Sequence, residues 1–270
     1  MARRSIKEPA RVIFPGVFAA AIIGVLFAMP SIIAAWMYVY EDAMIAIAPS
    51  AERAYEYGNR HLDAQRAHSY DIDRAEYFFD KALTYDPALP YLNHQIARVA
   101  FLRADFSKAM VFIDREIQEH PEHANAYYVR GLIEGYMGDY AAAAKDYEQF
   151  LKVAPYNWAA INDYAWVLLK DGRAKEAATA TEEGLKYFPE NPWLLNSSAI
   201  ALYEIGDIER AHERVQKAWD HVQAVGERDW LHSYPGNDPA IAEQGIATFR
   251  AAISENMHRI ESALAGSAVP

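Results

Sequence analysis

Two local patterns in the sequence contain side chains of the kinds that coordinate metals. His120 and His123 are three residues apart, but Pro121 separates them and no third ligand is near, so they are predicted to be solvated histidines in a turn. Asp71 and Asp73 begin like a calcium-binding loop, yet the loop glycine and the distal glutamate are missing. We therefore interpret Asp71 as a helix cap and expect the chain to bind no metal.

Patterns for phosphate or covalent chemistry are also incomplete. The segment 138–145 ends in a lysine but lacks the second glycine and the preceding strand of a phosphate-binding loop. Asn196 begins an Asn-Ser-Ser glycosylation acceptor, which would lie inside a helix. The sequence contains no His-Glu-x-x-His motif and suggests no nucleophile–base arrangement. It predicts a protein that is not an enzyme, with no cofactor and no small-molecule substrate.

Composition and charge exclude further classes of function. The 270 residues include 26 lysines and arginines against 37 aspartates and glutamates, and the formal net charge of −11 repels nucleic-acid phosphates. Hydrophobic residues make up 52% and charged residues 23%, which is typical of a folded chain. The absence of cysteine excludes disulfides, thiolate metal sites and cysteine nucleophiles. We expect a folded, acidic protein with no nucleic-acid partner.

The N-terminal region divides by charge. Residues 1–11 form a tail with four basic side chains and one acidic, a charge of +3. Residues 12–40 contain no Asp, Glu, Lys, Arg or His, and as a helix they would extend about 43 Å, more than the bilayer core of about 30 Å. A cleaved signal peptide would have an apolar region of only about 7–15 residues, and a buried core helix would show a polar face. A retained transmembrane anchor is favoured over both alternatives.

The residues on either side of the anchor predict its orientation. Basic residues precede it and acidic residues follow it, so the positive-inside rule places the N-terminus in the cytoplasm. Trp36, Tyr38 and Tyr40 lie where an aromatic belt would meet the far membrane surface. After a linker over 41–50, the rest of the chain would lie in the periplasm, beside a bacterial-type inner membrane.

Most of the remaining chain repeats every 34 residues. Small residues, prolines and large residues each recur at this interval. Small residues let two antiparallel helices approach closely, and proline ends a helix because it lacks a backbone donor. One column has a first interval of 39 residues, which indicates a five-residue insertion within 66–71. The columns are Ala75, Ala109, Ala143, Ala177 and Ala211; Pro87, Pro121, Pro155 and Pro189; Gly58, Ala97, Gly131, Ala165 and Ala199; and Phe79, Ile113, Tyr147, Thr181 and Val215.

These columns resemble the tetratricopeptide repeat (TPR) family, in five repeats over 51–226. The resemblance implies an all-α fold, in which antiparallel helix pairs stack into a right-handed superhelical solenoid with a concave groove. Thr181 and Glu116 depart from the residue types that the family prefers, so we expect looser packing in their repeats. The resemblance is to bacterial TPR proteins anchored in a membrane.

The C-terminal region is predicted to close the solenoid. A loop over 227–237 is rich in turn-forming residues, and Asp238 and Pro239 begin a last helix over 238–264. Apolar residues recur in this helix at steps of three or four, so it would present one apolar stripe and cap the final repeat. A partner-binding helix is the alternative interpretation. The stripe consists of Ile246, Phe249, Ile253, Met257, Ile260 and Leu264.

In the TPR family the first helix of each repeat faces the groove, which implies a set of groove residues here. They combine aromatic rings with asparagines, and we interpret Asn162 and Asn196 as solvent-facing. The Lys and Asn set with which some members hold a terminal carboxylate is not reproduced. The predicted groove residues are Tyr55, Asn59, Tyr91, His94, Arg98, Tyr128, Leu132, Asn162, Trp166, Trp193, Asn196 and Ile200.

These features favour a non-enzymatic, membrane-anchored scaffold or adaptor. Its groove would bind a protein partner, itself membrane-associated, on the outer face of the inner membrane. One alternative is a permanent structural subunit, packed into a larger membrane complex through the transmembrane helix and the solenoid. A second alternative is an organelle receptor with its repeats in the cytosol. The sequence carries nothing that selects one partner.

Overall fold

The regular structure of the described part of the chain is entirely helical. The computed structural model describes residue 29 and the ranges 33–66, 69–233 and 238–267. It contains two compact units, Met1–Ser50 and Ala51–Pro270. No strand occurs within the described ranges, which agrees with the predicted all-α class.

In the part of the first unit that the structure describes, helix α1 covers 33–47. The predicted basic tail, and the predicted anchor over 12–40 up to residue 32 apart from residue 29, lie outside the described residues. Of the helices that can be described, none is both long enough and apolar enough to cross a bilayer. Helix α1 also continues through most of 41–50, which the sequence predicts as a linker.

The second unit consists of five consecutive helix pairs and a C-terminal segment. Each helix of the pairs packs against the next along the chain, as the 34-residue repeat predicts. The insertion expected within 66–71 lies in the connection between the first two helices of this unit. The pairs are α2 (Ala51–His61) with α3 (Ile72–Tyr85), α4 (Leu92–Leu102) with α5 (Phe106–Glu119), α6 (Ala124–Met137) with α7 (Tyr140–Val153), α8 (Trp158–Lys170) with α9 (Ala174–Tyr187), and α10 (Pro192–Glu204) with α11 (Ile208–Val222).

The column of small residues lies where the two helices of a pair meet. A β-carbon on Gly58 would lie 2.5 Å from Phe79 Cε1, and one on Gly131 would lie 3.3 Å from the Tyr147 ring. The three alanines of this column are fully buried. Larger side chains would force the paired helices apart, so the column has the role that the sequence predicts.

The ends of the second helices follow the same period. Asp71, Asp105, Asp139 and Asp207 each accept a hydrogen bond from the backbone N–H three residues later, at the first turn of their helices. The column prolines each lie two residues after the last residue of a second helix. Asp71 is therefore the helix cap that the sequence predicts.

The two residues that depart from the family pattern are fully buried. The hydroxyl of Thr181 donates to the backbone carbonyl of Ala177 at 2.9 Å. The carboxylate of Glu116 accepts the backbone N–H of His94 at 3.2 Å and lies 2.8 Å from His123 Nδ1. These polar atoms find partners inside the core, so both residues are accommodated there, and the looser packing expected at both positions stays a prediction.

The C-terminal segment differs from its prediction in its first part. A short helix, α12 (Glu227–Ser233), occupies much of the region expected to be a loop. A 3₁₀ turn over Pro239–Ile241 then leads into α13 (Ala242–Ser267), which begins and ends three or four residues later than predicted.

Helix α13 covers the last helix pair. Ile246, Ile253 and Ile260 are buried in a core shared with α10 and α11, which agrees with the predicted apolar stripe. The guanidinium of Arg250 donates to three backbone carbonyls at and just beyond the end of α11, at 3.0–3.3 Å. These carbonyls have no partner within their own helix, so Arg250 joins α13 to α11 by polar as well as apolar contacts.

Candidate functional site

A cavity of about 1040 Å³ lies along the first helices of repeats two to five. Its walls come mainly from α4, α6, α8 and α10, and α12 and α13 contribute to one end. Nine of the twelve predicted groove residues line it, although their role in binding stays a prediction. These nine are His94, Arg98, Tyr128, Leu132, Asn162, Trp166, Trp193, Asn196 and Ile200.

The other three predicted groove residues lie outside the cavity. Tyr55 and Asn59 are on α2, a fully described helix that contributes nothing to the cavity wall; the Tyr55 ring packs 6.0 Å from that of Phe79 instead. Tyr91 precedes α4 in the left-handed conformation, with φ of 65°, and its ring lies 4.6 Å from that of His123. The groove therefore begins at the second repeat, one repeat later than the sequence predicts.

One end of the cavity is polar. Arg98 is half-buried and donates one hydrogen bond, to Gln95 Oε1 at 2.7 Å, while no carboxylate of the described residues lies within 4.0 Å of its guanidinium. Burial lowers the pKa of Arg98. His94, one turn earlier, is buried, and burial together with the Arg98 charge holds the pKa of its imidazole well below the usual value. His94 is therefore neutral at pH 7, and Arg98 supplies the positive charge at this end.

A carboxylate lies near the middle of the cavity. Asp163 accepts a hydrogen bond from the Tyr128 hydroxyl at 2.8 Å. Burial raises the pKa of Asp163 to about 6, although hydrogen bonds from Tyr128 and Asn162 act in the opposite direction. The hydroxyl of Ser197 donates to Asn162 Oδ1 at 2.8 Å, which links the fourth and fifth repeats. The sequence prediction missed Asp163 because it is offset by one residue from the expected groove column.

Trp166 belongs both to the cavity wall and to the contact between repeats three and four. Its ring centroid lies 5.7 Å from that of Tyr136 and 6.1 Å from that of Tyr140. Gly135 makes room for it, because a β-carbon there would lie 2.8 Å from Trp166 Cζ3. Replacing Trp166 would therefore change repeat packing as well as the groove surface.

The other end of the cavity is aromatic and touches α13. The Trp193 and Phe249 rings stack with centroids 4.8 Å apart and planes within 10°, and Trp158 lies 5.2 Å from Trp193. Asn256 on α13 donates to Asn196 Oδ1 at 3.0 Å. Asn196 is only 9% exposed, so the interpretation that it faces solvent is wrong. The side chain holds α13 against α10 while it lines the groove.

Two residues of the C-terminal segment line this end although they were not predicted as groove residues. The sequence places Phe249 in the core stripe of the last helix and Trp230 in a loop, yet both line the cavity. Gly245 allows the Trp230 ring to pack against α13, because a β-carbon there would overlap the ring. The sequence signal for this contact is the long apolar stripe that begins after Gly245. The stripe does not indicate which residues line the groove.

The histidines near Pro121 have a structural rather than a metal-binding environment. His123 pairs with the buried Glu116, and its side chain is 15% exposed, so it is not the solvated histidine that the sequence predicts. No group of three metal-ligating side chains occurs among the residues that the structure describes. The cavity offers aromatic rings, amides and two separated charges, which are features suited to binding.

Comparison with known proteins adds the fold. No protein-family model and no curated protein matches the sequence. The ArsTM double mutant of MamA RS-1 matches with a TM-score of 0.57 and 17% identity, over 64% of this chain and 95% of that one. YrrB, described as a TPR protein with an unusual peptide-binding site, matches with a TM-score of 0.56 and 16% identity, over 68% and 93%. The five helix pairs therefore have a TPR-like helical repeat fold.

Proposed function

We propose that this protein is a non-enzymatic scaffold that binds a segment of a protein partner in its groove. The observation that carries the proposal is the cavity of about 1040 Å³, lined by aromatic rings and asparagine amides from four consecutive repeats. Aromatic rings are enriched among the residues that dominate binding energy, and amides hydrogen-bond a peptide backbone. The peptide-binding site for which YrrB is described supports the same use of a shared fold.

The extent of the groove favours a peptide over a small compound. Packed helix axes lie about 8–10 Å apart, so the path from α4 across α6 and α8 to α10 is about 30 Å. An extended peptide covers that distance with about nine residues. The amide oxygen of Asn196 is already occupied by Asn256, which directs the Asn196 NH₂ group to a ligand carbonyl.

We also propose that residues 12–40 anchor the scaffold in a bacterial-type inner membrane, with the repeats in the periplasm. The uncharged segment and the basic tail before it support this placement. An anchor would confine the groove near other membrane proteins and so raise their effective concentration.

A permanent subunit of a larger membrane complex is the second candidate. The apolar segment is longer than a bilayer requires and contains Pro30, which favours packing against other transmembrane helices. The two candidates differ in stoichiometry: a subunit remains in an equimolar complex after mild detergent extraction and sizing, whereas a scaffold separates from its partner.

The groove is tested at Ile200, which lines the cavity and is half-buried. A photo-crosslinking residue at Leu132, which lines the same cavity, should capture the partner in the full chain in native membranes for identification by mass spectrometry. Ile200→Lys should then abolish capture, because it places a charge in the binding surface. Ile205→Lys is the matched control, since Ile205 is exposed on the same helix and lies outside the cavity. Equal capture by both lysine variants would exclude the groove.

The topology is tested with single cysteines, because the chain contains none. In intact spheroplasts, a membrane-impermeant maleimide should label Glu209→Cys in the solenoid. It should label Ala2→Cys only after permeabilisation. The reverse pattern would favour a receptor with cytosolic repeats, and labelling of both without permeabilisation would argue against a retained anchor.

A further inference from the structure

Among the described residues, Arg98 has no ion-pair partner at the polar end of the groove. Its guanidinium is half-buried, its one hydrogen bond goes to the neutral Gln95, and no carboxylate of the described chain is within ion-pair distance. A guanidinium that is withdrawn from water without a counter-ion reduces the stability of the protein. A position that keeps such a charge on a ligand-accessible surface suits a negatively charged ligand group.

The acidic side chains that the structure describes form no ion pair with Arg98. Asp63, in the connection after α2, raises the pKa of Arg98 through its charge, but it pairs with Arg66 at 3.1 Å. Asp163, in the same cavity, accepts a hydrogen bond from the Tyr128 hydroxyl. It is not among the charges that shift the pKa of Arg98. The hydrogen bond to Gln95 uses Nη1, so the edge of the guanidinium formed by Nε and Nη2 is available to a carboxylate.

The position of Arg98 distinguishes a side-chain carboxylate from the peptide main chain. His94, Asn162 and Asn196 occupy one column of the first helices, and their polar groups mark a path for a ligand backbone. Arg98 is four residues after His94, hence one helical turn, about 5–6 Å, to the side of this path. That offset matches the reach of an acidic side chain. The equivalent positions in the later repeats are apolar, namely Leu132, Trp166 and Ile200.

We infer that the groove recognises a partner segment by one Asp or Glu side chain, which pairs with Arg98, while neighbouring apolar side chains contact the positions equivalent to Arg98 on the later repeats. This inference rests on the proposed function, because it specifies the ligand of the same groove. The overall charge of −11 makes it specific: the acidic protein repels acidic segments in general and accepts one acidic side chain at a single cation.

The test uses the full-length protein in detergent micelles and a library of random nonapeptides that are acetylated and amidated. Selected peptides should share an Asp or Glu at one position. Changing that residue to Gln or Asn should weaken binding to the wild-type protein about tenfold or more, as measured by fluorescence anisotropy. With Arg98→Gln the same peptide change should matter less than twofold. Arg98→Glu should shift the selected residue to Lys or Arg, and Arg98→Lys should keep most of the acidic preference.

Arg115→Gln is the matched control, because Arg115 is exposed on α5 and outside the cavity. It should leave the acidic preference unchanged. Peptides that bind in an Ile200-dependent way without any acidic preference would overturn this inference and leave the proposed function standing. If the amidated peptides fail to bind but the same peptides with a free C-terminal carboxylate bind in an Ile200-dependent way, the inference is overturned as well. If no peptide binds the wild-type groove, both the inference and the proposed function fail.

Discussion

The two ends of the groove differ in the kinds of side chains that form them. At the Arg98 end, polar contacts join repeats two and three beside their apolar core, and the buried Glu116 bonds to the His94 backbone and to His123. At the opposite end, a helix from outside the repeats covers the last pair, and Phe249 and Ile253 of α13 pack into an aromatic and aliphatic core.

This difference separates two tasks within one repeat architecture. Apolar burial is non-directional and roughly proportional to area, so the α13 end contributes stability and tolerates no charge. Hydrogen-bonded polar groups require specific geometry, so we expect the Arg98 end to contribute less to stability than the α13 end. Substitutions at the two ends should therefore differ in size and in the property that they change.

The largest effect is expected at the α13 end. Ile253→Asp places a carboxylate in a fully buried position of the core shared with α10 and α11, and should reduce the free energy of unfolding by about 4–5 kcal/mol. Urea unfolding followed by circular dichroism measures the loss. Ala252→Asp, on the exposed side of the same helix, should change stability by no more than about 0.5 kcal/mol. Similar losses in both variants would show that α13 does not cap the solenoid.

A smaller loss is expected when the polar end is disrupted. Glu116→Leu leaves the His94 N–H and the His123 ring without their buried acceptor, at a cost of about 2–4 kcal/mol. Glu116→Gln retains an acceptor oxygen and should lose only about 1 kcal/mol. Chemical denaturation of the two variants gives the comparison. If Glu116→Leu proved as stable as Glu116→Gln, packing rather than hydrogen bonding would stabilise the polar end.

The repeat frame was predictable from the sequence because its causes are periodic. A close helix contact at Gly58, a proline two residues after a helix and an aspartate cap at Asp105 each recur at 34 residues. Nine of the residues that the family resemblance implies for the groove line the cavity, and their role in binding stays a prediction. Local contacts that recur at a fixed interval produce a repeating pattern of residue types in the sequence, and that pattern indicates the fold class.

Contacts between different repeats, and contacts of the C-terminal helices with the last repeat, produce no such pattern in the sequence. Trp230 and Phe249 enter the groove only because α13 folds back over the last pair, a long-range contact without periodicity. Asp163 became part of the groove through a hydrogen bond to Tyr128, 35 residues away and one position out of register. The buried state of Asn196 likewise depends on its partner on α13.

Between the two ends, the charge of Asp163 should destabilise the protein near neutral pH. Its pKa is raised from 3.8 to about 6 by burial, so the folded state favours the protonated form, and stability falls as the pH rises from about 4 to 6. Asp163→Asn should therefore be about 1–2 kcal/mol more stable than the wild-type protein at pH 7. This is less than two pKa units would give, since the groove admits water.

The pH profile identifies the cause of that stabilisation. As the pH falls below 4, the difference between Asp163→Asn and the wild-type protein should shrink toward zero, because Asp163 becomes protonated in both folded and unfolded states. Melting temperatures measured from pH 3.5 to 7.5 provide the test. A difference that is constant across this range would attribute the gain to packing instead of charge.

The smallest effect concerns equivalent turns in repeats near the two ends. Gly138, Gly172 and Gly206 occupy the left-handed region with φ of 90°, 75° and 85°, whereas repeat two has Ala104 there, with φ of 57°. A β-carbon is disfavoured in this conformation by about 1 kcal/mol. Ala104→Gly should therefore stabilise the protein by about 0.5 kcal/mol, the remainder being offset by the greater entropy of glycine in the unfolded chain.

The reciprocal substitution, of glycine by alanine, tests the same backbone effect at an equivalent turn. Gly206→Ala meets no atom within 4 Å of its new β-carbon, so its expected loss of about 1 kcal/mol comes from the backbone alone. Ala141→Gly, in the exposed face of α7, should lose about 1 kcal/mol, which shows that glycine stabilises only where φ is positive. Differential scanning calorimetry resolves shifts of this size. A loss of stability in Ala104→Gly would mean that the left-handed turn of repeat two is stabilised by its alanine.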